Sequence, residues 1–531
     1  MTTYNIALNE GVDYNAFWTE IETDGSGSTY VPIRSVSIVN ERPTSLRQCW
    51  YDLTDAEAEK LRNDPRVYSV NIPPEFRDDI HIMPSSSQTG LYYKGPNTGY
   101  NPDNNLGINW GLFRLNSTTN NTTSTTSGTL TYDYPLDGTG VDVVIMDGGC
   151  QVNHPDFQDA TGTTRVEQID WFAESGVVGT MPATFYTDND GHGTHCTGIS
   201  AGKTYGRAKN SRIYIMTVAG LAVSPTVGIS PTYAFDCIKG WHANKPVDPA
   251  TGYKRPTVVN MSWGYIEVIQ NVASITYQGI PTSSPTQGQY NALGLIGDYR
   301  SNYGAYIYGT PNSDVDLDVS ELLAAGVVLV GAAGNYYQTL ATYSATSTDN
   351  YNNYWTNNVG TVRYYMRGGS PACAPGVICV GNVDSTYQSG TLEQKNVSSE
   401  SGPRVDAWAP GTDIVSTTSN TNLYGATTTY PTNNSFKIMS ISGTSMASPN
   451  VAGLVAQLLQ IYPTATPAQI RQKVIDTSTT NVLYSTGLST DYTNTRSLHG
   501  GPNQFAYQAF NTATNSSVTG AVAFNNTSLG T

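Results

Sequence analysis

Charge is what this chain has least of. Only 13% of its 531 residues are Asp, Glu, Lys or Arg, and the balance is acidic: Lys and Arg number 27 against 42 Asp and Glu, a formal net charge of −15. Binding nucleic acid needs a basic face, so no nucleic-acid partner is expected. Long apolar runs are missing too. No stretch is long enough to span a bilayer, and no membrane partner is expected. The six cysteines, Cys49, Cys150, Cys196, Cys237, Cys373 and Cys379, form no C-x-x-C pair and no cluster with metal-ligand spacing. Cys373 and Cys379 could pair across a loop or remain ordinary buried thiols. Residues Met1–Leu8 lack the basic start and apolar core of a secretory signal. A signal was removed, or the protein leaves its cell by another route, or it stays inside.

What fills the chain instead is Gly (51), Tyr (36), Thr, Ser and Asn. At 38% hydrophobic content the length suffices for a large core and more than one domain. The first 77 residues read as β-α-β-β-α-β: strands at 4–8, 35–39, 47–52 and 67–71, with helices at 12–22 and 54–62. This is the order of a small ferredoxin-like α+β unit. Thr54 followed by Glu57 predicts a capping box on the second helix. Residues 72–106 are rich in Pro, Ser, Gly and Asn and read as a linker, assigned as 78–106.

From 141 onward, strands and helices alternate to about 475, which predicts a parallel α/β sheet. Val141–Met146 is a near-continuous apolar run, as for a strand covered on both faces. It ends at Asp147, where function gathers in such sheets. Strands are expected at 212–218, 257–264, 326–335, 377–381 and 404–408, and helices at 232–243 and 319–325. The polar, Tyr-rich stretches at about 265–318 and 336–370 read as insertions, and 501–531 as an unassigned tail.

Four side chains stand at strand or helix ends: Asp147, His192, Asn335 and Ser445. They supply an orienting carboxylate, a base, an amide donor and a nucleophile. Ser445 lies where Ser442-Gly443-Thr444-Ser445-Met446-Ala447-Ser448-Pro449 runs into the apolar segment 450–459. A helix N-terminus there would place free N–H groups beside a developing oxyanion. Pro449 is expected in the first turn of that helix, where its missing N–H costs nothing. His192 and His195 are spaced for one helix face, but no Glu accompanies them in the metalloprotease pattern. His195 is therefore expected to be a packed, hydrogen-bonded histidine.

These segments resemble the motifs of the subtilisin-like serine proteases (subtilases, peptidase S8), most closely the proteinase K branch. Val144-Ile145-Met146-Asp147-Gly148-Gly149 is similar to the family's Asp motif, with Gly148 where Ser or Thr is usual. His192-Gly193-Thr194-His195-Cys196 is similar to the His motif, and Gly443–Pro449 to the Ser motif. Ala332-Ala333-Gly334-Asn335 resembles the oxyanion segment, and Ser262-Trp263-Gly264 the strand lining the primary specificity pocket. Trp110-Gly111-Leu112 resembles the start of the mature enzyme. Ala409-Pro410-Gly411-Thr412 is a further landmark. Asn450 departs from the His usual after the Ser motif.

The resemblance implies a subtilisin-like parallel β-sheet flanked by helices over 107–500, preceded by an inhibitor-type (I9) prodomain at 1–77. It implies a serine endopeptidase working through an acyl-enzyme. Asp147, His192 and Ser445 would be catalytic, and Asn335 with the Ser445 N–H would form the oxyanion hole. Ser262, Trp263, Gly264, Ala333 and Gly334 would bind substrate, and Tyr336 would wall the pocket. The chain would be made as a self-processing zymogen, its partners polypeptide substrates and its own prodomain. No cofactor would serve catalysis. A structural calcium would lie on the carbonyls of Pro375 and Val377 and the carboxylate of Asp406. An extracellular or virion-associated location is favoured. The competing expectation is an assembly or structural protein, of a virion for example, that retains the fold. A sedolisin-type enzyme would need Glu in place of His192.

Overall fold

The computed structural model describes residues 1–23, 29–36, 38–41, 47–72, 86–94, 107–122, 127–221, 227–249, 251–269, 272–277, 279–286, 298–300, 305–337, 339–340, 353–364, 368–389, 392–485 and 496–507. Two compact units are present, the described residues of one falling within Met1–Met83 and those of the other within Pro84–Val518.

The first unit has the order β-α-β-β-α-β: strands Thr2–Leu8, Ile38–Glu41, Gln48–Leu53 and Val67–Asn71, and helices Tyr14–Glu22 and Asp55–Arg62. Its antiparallel sheet places Thr2–Leu8 between Gln48–Leu53 and Val67–Asn71. The core is Ile6, Leu8, Phe17, Ile21, Tyr51, Leu53, Leu61 and Val70. The capping box forms as the spacing predicts. Thr54 accepts from the Glu57 N–H, and the Glu57 carboxylate accepts from the Thr54 N–H, an arrangement of about 1 kcal/mol.

The second unit is built on a mostly parallel sheet. Its central strands run in the order Ala407–Pro410, Ile378–Ser389, Val328–Ala332, Thr257–Met261, Asp142–Asp147, Arg212–Thr217 and Val166–Glu167. Asp142–Asp147 is wholly buried. Val144 and Met146 join Phe235, Ile238, Val315, Val319 and Leu322 of the helices Pro231–Asn244 and Ser313–Ala324 on one face. The helices His192–Ala201 and Thr444–Ile461 cover the other. Arg212–Thr217 adds to one side of Asp142–Asp147, and the strand that follows it, Thr257–Met261, to the other. The winding therefore reverses beside this strand, and a crevice opens at its carboxyl end, where Asp147 stands.

Several sequence-based boundaries change. The linker reading fails for 86–94. Ser86–Tyr93 is a strand paired over its whole length with Ser127–Tyr134, and Lys94 is buried. The flanking 73–85 and 95–106 lie outside the described residues, as do 508–531. The helix placed at 319–325 begins at Ser313, because Asn312 caps it by accepting from the Asp314 and Val315 N–H groups. Its first residues therefore belong to the layer covering this sheet and not to the insertion. The two insertions are one structure: Val272–Tyr277 from the first pairs antiparallel with Tyr354–Asn357 from the second. Trp355 packs on Tyr308 at their junction, with ring centroids 4.9 Å apart. A hairpin of Ile414–Thr418 and Asn433–Ile441 also forms, which no sequence pattern signals. All six cysteines are free buried thiols.

Candidate active site

Asp147 ends its strand with its carboxylate held by the Gly148 N–H at 2.7 Å. That carboxylate faces His192, whose Nδ1 lies 2.9 Å from Oδ1 and 3.1 Å from Oδ2. His192 is the first residue of its helix. Gly191 precedes it at φ +95°, in the left-handed region that a glycine enters without strain. Two carboxylates fix this turn. Asp190 accepts from the His192 N–H at 2.7 Å. Asp188 accepts from the Gly191 and Thr194 N–H groups. Burial, with Asp188 and Asp147 nearby, pushes the Asp190 carboxyl up to about 7.

Burial disfavours the charged imidazole of His192, but the Asp147 carboxylate more than offsets it and raises its pKa well above the ordinary value. Asp147, His192 and Cys196 bring one carboxylate, one ring nitrogen and one thiol close together. The set does not suit a metal. His192 Nδ1 already bonds Asp147, burial raises the Cys196 pKa, and the thiol donates to the Ser445 carbonyl at 3.4 Å. His195 is packed as expected. Its Nε2 lies 3.2 Å from the Met439 carbonyl, and burial lowers its pKa to about 3.

The Ser445 helix begins earlier than the sequence suggests, at Thr444, so Pro449 lies inside it and not in its first turn. Proline has no N–H, which leaves the carbonyl four residues back without its helical donor. That carbonyl belongs to Ser445. It is satisfied from outside the helix, by the Ser262 hydroxyl at 2.8 Å and the Cys196 thiol. Pro449 thus turns a helix defect into two ties, one to the strand end at Ser262 and one to the His192 helix. The Ser445 hydroxyl donates to the Ser262 carbonyl at 3.1 Å; among the described residues its hydrogen bond is to this group and not to His192 Nε2.

Asn335 follows the strand Val328–Ala332. Its Oδ1 accepts from both the N–H and the hydroxyl of Thr444, at 2.9 and 3.0 Å. The amide is therefore oriented by the residue just before Ser445, with its NH₂ left to donate. Asn450 is buried, donates to the Pro410 carbonyl and accepts from Asn109, so the unusual residue is fully used in packing.

A cavity of about 220 Å³ opens beside Ser445. Ser262, Trp263, Gly264, Ala333 and Gly334 line it, as does Tyr336. The sequence does not single out Glu400, which also lines it while being fully buried. Nor does it single out Asp188. Each is an acidic residue in a polar loop, and sequence offers no signal that separates these from solvated neighbours.

The calcium expectation is corrected. Arg404 occupies the loop where the ion would sit. Its guanidinium donates to the carbonyls of Ala374 and Val377, at 2.6 and 2.8 Å, and to Asp406 at 3.0 Å. Arg471 also pairs with Asp406, and the Cys379 N–H donates to it. Two of the three expected ligand residues, Val377 and Asp406, already hold cations, and Pro375 stands beside them. A divalent ion would meet two guanidinium charges at contact distance, so these residues do not fit calcium.

Comparison with known proteins identifies the family. The model of the subtilase family (Peptidase_S8) matches residues 138–503. A cuticle-degrading protease of Metarhizium anisopliae is 28% identical over 378 residues, covering 71% of this chain and 67% of its own. An extracellular serine proteinase of Thermus sp. (strain Rt41A) is 26% identical over 448 residues, covering 83% and 73%. A cold-adapted subtilisin-like serine proteinase of solved structure aligns at 21% identity and TM-score 0.45, over 75% of this chain and 97% of that one. With its matched span covering most of the second unit, the chain belongs to the subtilase family.

Proposed function

We propose that the protein hydrolyses peptide bonds as a serine endopeptidase, with Asp147, His192 and Ser445 as its catalytic residues. The observation that carries this is the Asp147–His192 hydrogen bond, with the Ser445 helix packed across it. In the reaction the Ser445 hydroxyl swings from the Ser262 carbonyl to His192 Nε2. His192 takes its proton as Oγ attacks the scissile carbonyl, and Asp147 holds the imidazole tautomer and stabilises the imidazolium. The Asn335 NH₂ and the Ser445 N–H receive the oxyanion. His192 then returns the proton to the leaving amine, and water repeats the sequence on the acyl-enzyme. Apo hydroxyls often sit off the productive line, so the present Ser445 rotamer is compatible with this role.

The first unit is assigned as an intramolecular inhibitor removed by self-cleavage. The strand Ser86–Tyr93 supports a cut before Ser86, since its eight-residue pairing would hold it in the mature enzyme. An extracellular site of action is favoured by the Thermus relative's description. The test is intact mass and N-terminal sequencing of the purified chain beside Ser445→Ala. Loss of the first unit from the wild type alone supports a self-maturing protease, with the new N-terminus between 72 and 86. If both stay whole, and neither cleaves casein after the first unit is trimmed by an added protease, the proposal fails.

A further inference from the structure

Glu400 has no part in the reaction described above, yet it is the best-placed charge in the cleft. Glu400 is among the residues lining the cavity beside Ser445 and is itself fully buried. Neither carboxyl oxygen has a well-formed hydrogen bond among the described residues; the Tyr336 backbone N–H lies near and supplies one donor interaction. A buried polar group left this way costs free energy unless something arrives to pair with it. The neighbouring cation does not serve. Lys395 Nζ spends its donors on the carbonyls of Asn396, Val397 and Ser399. The Tyr336 N–H and Lys395 favour ionisation, but burial and the nearby Cys379 dominate and hold the carboxyl well above the usual range.

The pocket wall is shaped around this group. Gly334 has φ +122°, and a Cβ there would fall 2.4 Å from the Glu400 carboxyl. Only glycine lets the carboxyl stand against the wall between Ala333 and Asn335. The Glu400 N–H also donates to the Gly334 carbonyl at 2.9 Å, which fixes the carboxyl relative to the oxyanion segment.

We propose that Glu400 sets the primary specificity of this protease, accepting a Lys or Arg side chain at the residue whose carbonyl is attacked. This rests on the serine endopeptidase reading and deepens it. An ammonium or guanidinium would bring both the donors and the countercharge that the buried carboxylate lacks, and guanidinium can bond both oxygens at once. The long aliphatic stem would lie along the Trp263–Gly264 and Ala333–Gly334 walls. A proton held by the empty pocket would leave to solvent as the cation enters.

The test uses the enzyme purified after its own processing, with fluorogenic peptides that differ only at that residue: Arg, Lys, Gln, Phe and Leu. The wild type should favour Arg and Lys. Glu400→Gln should lower kcat/KM for both on the order of 100-fold, the scale of losing one partner of a buried charge pair, while leaving Phe and Leu within several-fold. Labelling by a fluorophosphonate probe reports the reacting serine separately. A wild type that labels but prefers Phe or Leu overturns the specificity assignment alone. So does a Gln variant that loses all substrates equally while labelling normally. If the variant does not fold, the wild-type ranking still decides. A wild type that neither labels nor cleaves any peptide overturns the endopeptidase reading, and the assignment with it.

Discussion

Glu400 and Asp406 are carried on one short stretch, both fully or nearly buried, with opposite surroundings. Asp406 accepts from Arg404, Arg471 and the Cys379 N–H. Glu400 has no well-formed hydrogen bond among the described residues and is one of those lining the cavity. The difference separates two uses of buried charge. Around Asp406 every charge is answered within the chain, so the cluster can only hold the loop 372–377 to the helix Pro467–Thr477. At the cleft, charge and donors are left for a substrate: the Glu400 carboxyl, the Asn335 NH₂ and the imidazole of His192.

The comparison breaks most visibly at Ser445. Ser445→Ala should lower kcat about a million-fold, the loss that subtilisin itself shows for its serine, with the melting temperature kept. Single-turnover peptide cleavage measures it, and residual turnover near wild type would remove Ser445 from the chemistry. Next comes Asn335→Leu, expected to lower kcat about 100- to 1,000-fold with KM little changed, again subtilisin's own scale. A loss confined to KM would assign Asn335 to binding instead.

On the closed side, Arg404→Leu strips the carbonyls of Ala372, Cys373, Ala374 and Val377 of a donor and leaves part of Asp406 unpaired. It should destabilise the protein by about 3–5 kcal/mol, read by urea unfolding in a Ser445→Ala background that cannot digest itself. A midpoint unchanged from the parent would show that the cluster contributes nothing. The pH dependence is finer. His192 must be neutral to accept a proton and its pKa is raised, so kcat/KM should climb with pH through a value above the ordinary 6.5. Asp147→Asn removes the raising charge and should move that limb to lower pH; a limb that stays put would mean another group titrates. The smallest effect is expected from calcium. Chelation should leave this loop's contribution to the melting temperature unchanged. A calcium-dependent shift that Asp406→Asn abolishes would return the ion to it.

Much of this was legible in the chain. The apolar run before Asp147 and the Thr54–Glu57 cap are local patterns, and local patterns survive folding because near neighbours produce them. The four motif residues converge because each ends a strand or opens a helix on the same edge of one sheet. Other features were invisible for a physical reason. The Ser262 and Cys196 bonds that satisfy the Ser445 carbonyl join residues far apart in sequence. The sheet shared by the two insertions joins Val272–Tyr277 to Tyr354–Asn357. The strand Ser86–Tyr93 reads as linker because its Ser, Thr and Gly pattern gains order only from Ser127–Tyr134.

By itself, then, the sequence determined the α/β class, the first unit's element order, the family and the candidate residues of the chemistry, since spacing and residue type carry that information directly. The tertiary structure alone decided which buried charges are answered and which wait. Pairing depends on distances between segments that no spacing encodes: Arg404 reaches the carbonyls where a cation was expected, and Glu400 lies at the pocket with no well-formed hydrogen bond among the described residues.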